Sequence, residues 1–363
     1  MTVRAGAPWR IGYVGQLDLG GTCYSRLVAL RTVEGAVSTL DVHEVCRTLS
    51  RSRWQRLLAN LPGGGPAGRA LNRGVVEFAL EKKLEVLWVD KGDWMWPQTL
   101  ARLRNLGVVL VHHLTDALWP RHRKLWMSRW RLRAGVGGYH YYLTSHDREL
   151  ARVQAGTPGR VLATQLGYDD ARFSPLPTLS AEEQQRWGCD CIFIGHREPR
   201  TQENLAALLR SGVPVKVFGA GWEALGKANS LWRGHAFGPV GDAEYVLRLK
   251  AAKIGLCFVS EWNHNETAGR SYEIPACGTL LLAMRTGTHV RHFREGVEAE
   301  FFGDSGELVT KAQACLADEG RRRQVAACGE ARCRSSGYSW REIMLRDWAA
   351  VSAEIDRRSQ IRR

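Results

Sequence analysis

Short apolar runs alternate with longer amphipathic stretches along the first half of the chain. Three runs have the length and composition of buried strands: residues 9–14, 84–89 and 107–112. Three stretches have helical spacing of their apolar positions: residues 22–31, 75–82 and 96–106. A glycine-rich turn at 15–21 joins the first strand to the first helix, and LPGGGPAG at 61–68 predicts a loop. This alternation predicts an α/β domain with a parallel sheet buried on both faces.

The second half repeats the alternation of strands and helices. Predicted strands are residues 191–194, 215–218, 254–259 and 279–283. Predicted helices are residues 201–210, 244–251, 270–276, 307–318, 319–328 and 340–357. Two prolines in FSPLPTL, at 173–179, predict a linker over 173–185 between a first domain of residues 1–172 and a second of 186–338.

The last predicted helix carries one apolar stripe. Its members are spaced 4, 4 and 3 residues apart: Trp340, Met344, Trp348 and Val351. Such spacing places them on one helix face. We therefore expect residues 339–363 to pack back toward the first domain.

Composition excludes several classes of protein. Of the 363 residues, 44% are hydrophobic and 24% charged, which excludes a disordered or collagen-like chain. No apolar run approaches the roughly 18 residues of a membrane span. The first residues lack the apolar core of a secretory signal, so a cytoplasmic protein is expected.

The nine cysteines are predicted to be reduced thiols. Their two close pairs, Cys189 with Cys191 and Cys328 with Cys333, lack zinc-site spacing. Five others stand in apolar surroundings that favour burial: Cys23, Cys46, Cys257, Cys277 and Cys315.

Positive charge is concentrated in the first half. The net charge is +14, and residues 1–175 hold 25 Lys and Arg against 14 Asp and Glu. This excess predicts an anionic partner: a membrane surface, an acidic substrate or nucleic acid. The densest basic segment is 118–133, read as one helix with Trp119, Trp126 and Trp130 on a shared face. Packing of that face against the core is the favoured interpretation, and an interfacial helix on an anionic membrane is the alternative.

The stretch 263–302 carries the most specific chemistry. A strand feeds a polar loop, which feeds a short helix beginning near Arg270. Backbone N–H groups at a helix start and the Arg270 guanidinium suit a diphosphate. Glu273, one turn on, suits the hydroxyls of a ribose, although it could merely complement the helix dipole.

These residues also resemble a known family. The motifs R-x-Y-E-I-P-A-C-G-T-L-L-L, T-x-x-H and F-x-E-G-x-E-A-x-F-F, with FIGHREPR and FGAGW before them, resemble the C-terminal module of group 1 glycosyltransferases. In particular they resemble the family named after the spore-maturation protein CgeB. The resemblance covers about residues 185–345 well and 1–175 weakly. It implies the GT-B fold, in which two Rossmann-like, doubly wound domains face a cleft.

The resemblance implies a set of donor-binding residues. They are Gly195, Arg197, Arg200, Gly219, Gly221, Trp222, Asn265, Thr267, Arg270, Tyr272 and Glu273. Many retaining members carry a glutamate eight residues before the position of Glu273, where this chain has Asn265 and places Glu266 one residue out of register. Simpler interpretations are a solvated basic loop for the arginines, a strand-end turn for the glycines and a core position for Trp222.

Further candidates lie in the first domain. Gly20 and Gly21 are expected in an acceptor or phosphate loop. His113 and Asp116 follow a predicted strand, where a general base or a group that stabilises an oxocarbenium-like state belongs. Asp116 alternatively caps the helix predicted at 118–133.

The favoured function is a metal-independent, hexosyltransferase-type glycosyltransferase. Its donor is a nucleoside-diphosphate sugar, no cofactor is expected, and the acceptor is a glycan, a lipid-linked molecule or another anionic compound. Peripheral contact with the inner face of an anionic membrane is part of this expectation, and nucleic acid is not an expected partner. Two rivals remain: a basic, Trp-rich nucleic-acid-binding protein, and a GT-B nucleotide-sugar epimerase or non-catalytic scaffold.

Overall fold

The structure comprises two compact units. A computed structural model describes residues 8–49, 65–173 and 178–361. Unit 1 consists of Met1–Gln165, Glu261–Asn265 and Trp340–Arg363, and unit 2 of Leu166–Ser260 and Glu266–Ser339. Each unit is built around its own parallel sheet.

The first boundary between the units lies earlier than the linker predicted at 173–185. The backbone of Tyr168 bridges to Ser339 and its N–H donates to the carbonyl of Tyr338 at 3.1 Å. Phe173 is fully buried in the core of unit 2. Residues 166–173 therefore fold with unit 2, and 174–177 lie outside the described residues.

Unit 1 contains a six-stranded parallel sheet. Its strands are β1 (Ile11–Gly15), β2 (Val37–Asp41), β3 (Val86–Asp90), β4 (Val109–Leu114), β5 (Tyr141–Thr144) and β6 (Arg160–Ala163). The order β2-β1-β3-β4-β5-β6 reverses direction at β1, so a crevice opens between the carboxyl ends of β1 and β3. The predicted strands correspond to β1, β3 and β4, whereas β2, β5 and β6 were not predicted.

Helices of unit 1 cover both faces of this sheet. They are α1 (Thr22–Glu34), α2 (Val42–Leu49), α3 (Gly65–Glu81), α4 (Pro97–Asn105), α5 (Arg123–Ser128), α6 (Trp130–Gly135) and α7 (Asp147–Ala155). The loop predicted at 61–68 is wrong for residues 65–68, which begin α3, and 61–64 lie outside the described residues.

The single helix predicted at 118–133 is also wrong. Pro120 disfavours the helical backbone conformation of the preceding residue, Trp119, and helical structure begins only at Arg123. Arg129 then interrupts it, with backbone angles φ −90° and ψ 16°. Its side chain donates to the carbonyl of Ala117. Trp126 and Trp130 are exposed rather than packed in the core.

Unit 2 repeats the architecture. Its parallel strands are β7 (Cys189–Ile194), β8 (Val215–Phe218), β9 (Ala236–Phe237), β10 (Ala252–Cys257), β11 (Leu280–Met284) and β12 (Glu300–Phe302). The order β12-β11-β10-β7-β8-β9 reverses at β7, which opens a crevice between the carboxyl ends of β7 and β10.

Of the described helices of unit 2, those near the predicted ranges 201–210, 244–251, 270–276, 307–318 and 319–328 were predicted, and the others were not. The described helices are α8 (Asp170–Phe173), α9 (Ala181–Trp187), α10 (Pro199–Arg210), α11 (Trp222–Ala228), α12 (Asp242–Ala251), α13 (Arg270–Ala276), α14 (Gly287–His292), α15 (Ser305–Ala317) and α16 (Glu319–Ser335). Close packing fixes α13 on the sheet, since a Cβ at Gly255 of β10 would lie 2.5 Å from the Ile274 side chain. This contact sets the position of the functional residues at the start of α13.

The C-terminal helix α17 (Trp340–Ile361) belongs to unit 1. It packs along α1, and the four residues of its predicted apolar stripe are all buried. The indole N–H of Trp348 donates to a carboxylate oxygen of Glu34 at 2.7 Å. The helix is thereby an integral part of the core of unit 1.

The structure describes the side chains of eight of the nine cysteines. The eight cysteines with described side chains are free thiols, and Cys23, Cys257, Cys277 and Cys315 are buried. The Cys46 side chain lies outside the described residues. No helix within 8–49, 65–173 or 178–361 has both the length and the apolarity to cross a bilayer.

A buried acid on α17 gives a stability prediction. Burial raises the pKa of Asp347 from 3.8 to about 6, although the Thr164 hydroxyl donates to it at 2.5 Å. Because the folded pKa exceeds the unfolded one, stability is highest below the unfolded pKa and falls as the pH rises through about 6. Asp347→Asn removes this ionisation, so it should stabilise the protein at neutral pH by about 3 kcal/mol at most.

Thermal melts between about pH 3 and pH 8, a range that brackets both pKa values, measure the effect. The advantage of Asp347→Asn should shrink toward the acid end. Glu342→Gln, at an exposed acid of the same helix, is the matched control. Parallel melting curves for Asp347→Asn and wild type across the range would contradict this account.

Candidate functional site

The candidate site of unit 2 lies at the crevice between β7 and β10. Gly195 directly follows β7, and Arg197 stands between that strand and α10. A polar segment follows β10 and ends at α13, which begins with Arg270. Since ligands of open α/β sheets bind where the strand order reverses, this edge is the expected binding position.

Two glycines allow the close packing of this edge. A Cβ at Gly219, whose φ is 138°, would lie 2.2 Å from the carbonyl oxygen of Gly195. A Cβ at Gly195 would lie 3.1 Å from the guanidinium carbon of Arg270. Packing inside the protein therefore requires a glycine at position 219, as the alternative interpretation of an ordinary strand-end turn expects. Gly195 leaves room for the Arg270 side chain.

Arg270 brings an uncompensated donor to the site. Its guanidinium carbon lies 5.4 Å from the ring centre of Phe193. Its Nε is buried and finds no hydrogen-bond partner among the described residues. A buried donor without a partner is costly, and an anionic ligand would satisfy it with a charge-assisted hydrogen bond.

Glu273 lies one helical turn after Arg270. Its Oε2 accepts a hydrogen bond from the Tyr245 hydroxyl at 2.5 Å, and its Oε1 accepts none from a described residue. Burial raises the pKa of Glu273, while the Tyr245 hydrogen bond and the charge of Arg270 oppose the rise. The carboxylate is thus positioned by Tyr245 and keeps one oxygen available as an acceptor.

Arg197 connects the ends of two strands. It is exposed, and its Nη1 donates to the carbonyl of Gly221 at 3.2 Å. Gly221 adopts a left-handed conformation, with φ 83°, as the residue that caps α11. Arg200 is exposed in the first turn of α10. Both arginines occupy the same loop-to-helix connection after β7.

Two predicted donor-binding residues are core residues instead. Trp222 is fully buried, and its indole N–H donates to the Gly195 carbonyl at 2.9 Å. Tyr272 is fully buried, and its hydroxyl lies 2.9 Å from Nδ1 of His292. Neither ring is available to stack on a ligand, so Trp222 supports Gly195 from within the core.

Helix α14 positions the segment ahead of α13. Thr286 caps α14 by accepting from the His289 N–H at 3.0 Å, and its hydroxyl donates to the Glu266 carbonyl at 2.7 Å. Buried His289 lies between the Met284 carbonyl and the Ser271 hydroxyl, each at 2.7 Å. Ser271 in turn accepts from the Ala268 N–H at 2.9 Å. The T-x-x-H motif therefore fixes the position of the chain segment that leads into α13 and Arg270.

The acidic position expected before Glu273 is not restored by Glu266. Its Oε2 accepts from the backbone N–H and the hydroxyl of Thr288, at 3.1 and 2.7 Å, so this carboxylate serves α14. Thr267 is buried in unit 2, whereas Asn265 belongs to unit 1 and its buried Oδ1 lacks a partner among the described residues.

In unit 1, the Gly20–Gly21 loop follows β1 at the reversal point of the sheet. Gly20 has φ 77°, and the Gly21 N–H donates to the Asp18 carbonyl at 3.0 Å. Helix α1 is held by a fully buried ion pair in which Arg26 donates to both carboxylate oxygens of Asp90 at 2.7 and 2.8 Å. The sequence analysis did not predict this pair, which fixes the loop on the sheet edge.

His113 does not lie where the sequence predicted. It lies inside β4, fully buried, with its ring 5.8 Å from that of Trp88. Burial and the nearby charge of Arg26 lower the pKa of His113 to about 3. Because β4 runs to Leu114, two residues beyond the predicted end, the side chain enters the core and is unsuited to act as a general base.

Asp116 keeps an accessible carboxylate after β4. Its side chain is 38% exposed, lies 3.9 Å from Arg129 and accepts from the Asn263 amide at 3.4 Å. The alternative role as a helix cap is wrong, because the next helix begins only at Arg123.

Sequence reasoning missed a second acid near Asp116. Asp93, which follows β3, keeps part of its surface exposed. Desolvation by the surrounding protein raises the pKa of Asp93. The charge of Arg129 opposes this rise, and the charge of Asp116 adds to it. The two carboxylates are thus electrostatic neighbours at the carboxyl edge of unit 1. The available signal was the position of Asp93 in the run WVDKGDW, at 88–94, just after a predicted strand.

The chain resembles known proteins in sequence over part of its length and in fold over nearly all of it. Residues 197–346 match the family model described as glycosyl transferase-like. That match contains Arg197, Arg270 and Glu273. No curated protein sequence resembles the chain closely enough to count as a relative.

Solved structures resemble the chain over nearly its whole length. HepE from Anabaena, in complex with UDP, is 16% identical, with a TM-score of 0.65 over 94% of this chain and 99% of that one. Sucrose-phosphate synthase from Thermosynechococcus elongatus is 12% identical, with a TM-score of 0.69 over 95% and 99%. A putative UDP-N-acetylglucosamine 2-epimerase from Listeria monocytogenes is 10% identical, with a TM-score of 0.60 over 96% of each.

At these identities the likeness shows the fold. The two six-stranded parallel sheets match GT-B glycosyltransferase structures, which confirms the predicted fold class. The narrower resemblance to the CgeB family stays a prediction.

Proposed function

We propose that the chain is a glycosyltransferase that moves a sugar, of the hexosyl type, from a nucleoside-diphosphate donor to an acceptor. The observation that carries the proposal is the arrangement of Arg270 and Glu273 at the reversal point of the unit 2 sheet, inside the segment that matches glycosyl transferase-like proteins. The UDP complex of the structurally similar HepE supports a nucleotide ligand.

Each residue of the unit 2 edge has a role in this proposal. The Arg270 guanidinium, with its unpartnered Nε, binds the diphosphate and stabilises the charge that develops on the leaving group. Arg197, on the connection after β7, adds a second cation. Glu273 offers its free Oε1 to a ribose hydroxyl, held in place by the Tyr245 hydroxyl.

The acceptor chemistry is assigned to unit 1. Asp116 is the proposed general base for an acceptor hydroxyl, because it is accessible and carried on the segment after β4. The Arg129 guanidinium lies 3.9 Å from this carboxylate. The basic excess of residues 1–175 favours an acceptor that is anionic or is carried at an anionic surface.

Turnover experiments test the reaction class. The protein is incubated with UDP-, GDP- and dTDP-sugars, with and without candidate acceptors, and the products are separated by chromatography. Release of nucleoside diphosphate that depends on the acceptor supports transfer. Release that persists with EDTA supports the proposal that arginines, rather than a divalent metal, neutralise the diphosphate.

An epimerase is the second candidate, since a putative UDP-N-acetylglucosamine 2-epimerase shares the fold. An epimerase converts the donor without an acceptor, so a changed sugar in the donor-alone reaction would favour it. Absence of any product with every donor would contradict both functions.

A further inference from the structure

Residues 121–133 form a basic surface on unit 1 that the proposed reaction does not use. The sequence there is RHRKLWMSRWRLR, with six Lys and Arg residues. No Asp or Glu occurs anywhere in residues 117–146. We call residues 121–133 the basic–aromatic segment; its local field attracts anions.

The segment also exposes large apolar side chains. Trp126 is 48% exposed, Met127 56% and Trp130 43%. They come from two short helices, α5 and α6, that meet at Arg129. Isolated exposed hydrophobic residues are common, but three within five positions form a patch of the kind that marks an interaction site.

Cations and rings are interleaved on this surface. The guanidinium of Arg133 lies 4.2 Å from the ring centre of Trp126, and that of Arg131 lies 5.2 Å from the ring centre of Trp130. Arg123 and Lys124 are exposed and make no ion pair with a described residue. Their charges are therefore available to an anionic partner outside the described chain.

Arg129 differs from its basic neighbours. It is 7% exposed, donates to the Ala117 carbonyl and lies 3.9 Å from Asp116. Its role is internal, so it is excluded from the binding surface and from the variants below.

We propose that the basic–aromatic segment binds the surface of an anionic lipid bilayer. Tryptophan prefers the headgroup level of a membrane, and a bilayer offers Met127 an apolar phase just below. Arg123 and Lys124 contact lipid phosphates. A soluble polyanion would satisfy the cations but leave the apolar side chains in water. The proposal does not depend on the reaction assigned to the protein.

Sedimentation of the full chain with vesicles tests the proposal. Vesicles of phosphatidylcholine alone are compared with vesicles of phosphatidylcholine and phosphatidylglycerol, at low and physiological ionic strength. The protein should sediment with the anionic vesicles, and added salt should weaken this binding because it screens the charges. It should remain in solution with phosphatidylcholine alone.

Variants separate the two kinds of contact. Each Lys or Arg near an anionic surface contributes about fivefold in affinity, so Arg123→Gln with Lys124→Gln should weaken binding about 25-fold. Trp126→Ser with Met127→Ser should weaken binding while the salt dependence remains. Arg210→Gln with Arg233→Gln removes two exposed charges of unit 2 and should bind as the wild type does. Unchanged melting curves show that each variant is folded.

Several outcomes would overturn the proposal. They are equal binding to neutral and anionic vesicles, wild-type affinity in both segment variants, and no sedimentation of the wild type at low ionic strength. Salt-sensitive binding to heparin without binding to vesicles would assign the segment to a soluble polyanion instead.

Discussion

Asp116→Asn is expected to lower the rate of sugar transfer by about 10²- to 10⁴-fold, the usual contribution of a general base. The substitution keeps the carbonyl oxygen that can accept from the Asn263 amide at 3.4 Å, so the local structure should persist. It removes only the group that can take up a proton. Nucleotide affinity, which we assign to unit 2, should remain at the wild-type value.

Steady-state kinetics with a nucleotide sugar and an acceptor measure this prediction. Asp147→Asn, at an exposed acid in the first turn of α7, is the control for loss of one negative charge in unit 1. Asp93→Asn tests the neighbouring acid in the same assay. If Asp116→Asn transfers sugar at the wild-type rate, Asp116 is not the base.

Glu273→Ala is expected to weaken nucleotide binding by about 10- to 100-fold. A hydrogen bond to a charged group contributes about 1.5–3 kcal/mol, and the free Oε1 of Glu273 is the proposed acceptor for a ribose hydroxyl. The diphosphate contacts of Arg270 remain in this variant, so binding should be weakened rather than abolished.

Tyr245 supplies the matched controls for this substitution. Glu273→Ala leaves the buried Tyr245 hydroxyl without its partner, a loss of stability that could be mistaken for loss of binding. Tyr245→Phe removes the same internal hydrogen bond and keeps the carboxylate, so it should retain most of the affinity. Glu273→Gln keeps an acceptor for Tyr245 and should show an intermediate loss. A folded Glu273→Ala protein with wild-type affinity would remove Glu273 from the site.

The edge of unit 2 could be predicted because its residues are close together in the sequence. Arg270 and Glu273 belong to one short helix, whose predicted bounds agree with the structure, and Arg197 lies three residues after the end of a strand. Local order therefore determines which side chains reach the sheet edge. The regular alternation of strands and helices predicted α/β domains with parallel sheets, and the resemblance to group 1 glycosyltransferases implied the GT-B fold.

Features that depend on distant contacts could not be predicted. The Arg26–Asp90 pair joins residues 64 positions apart, and nothing in the sequence around either residue identifies its partner. Arg129 lies between the two helices that replace the predicted basic helix, and its side chain donates to the carbonyl of Ala117, a residue 12 positions earlier. His113 lies in a strand buried on both faces, where a shift of two residues at the strand end separates an accessible side chain from a core one.

Isothermal titration of the wild-type protein with UDP, GDP and dTDP tests the central claim most directly. The account predicts saturable binding of at least one nucleoside diphosphate at a single site, a higher melting temperature in its presence, and loss of both effects in Arg270→Ala. Ligand at 100 times its dissociation constant should stabilise the folded protein by about 2.7 kcal/mol. If no nucleoside diphosphate binds, or if Arg270→Ala binds as tightly as the wild type, the edge of the unit 2 sheet is not a nucleotide site and the proposed function is wrong.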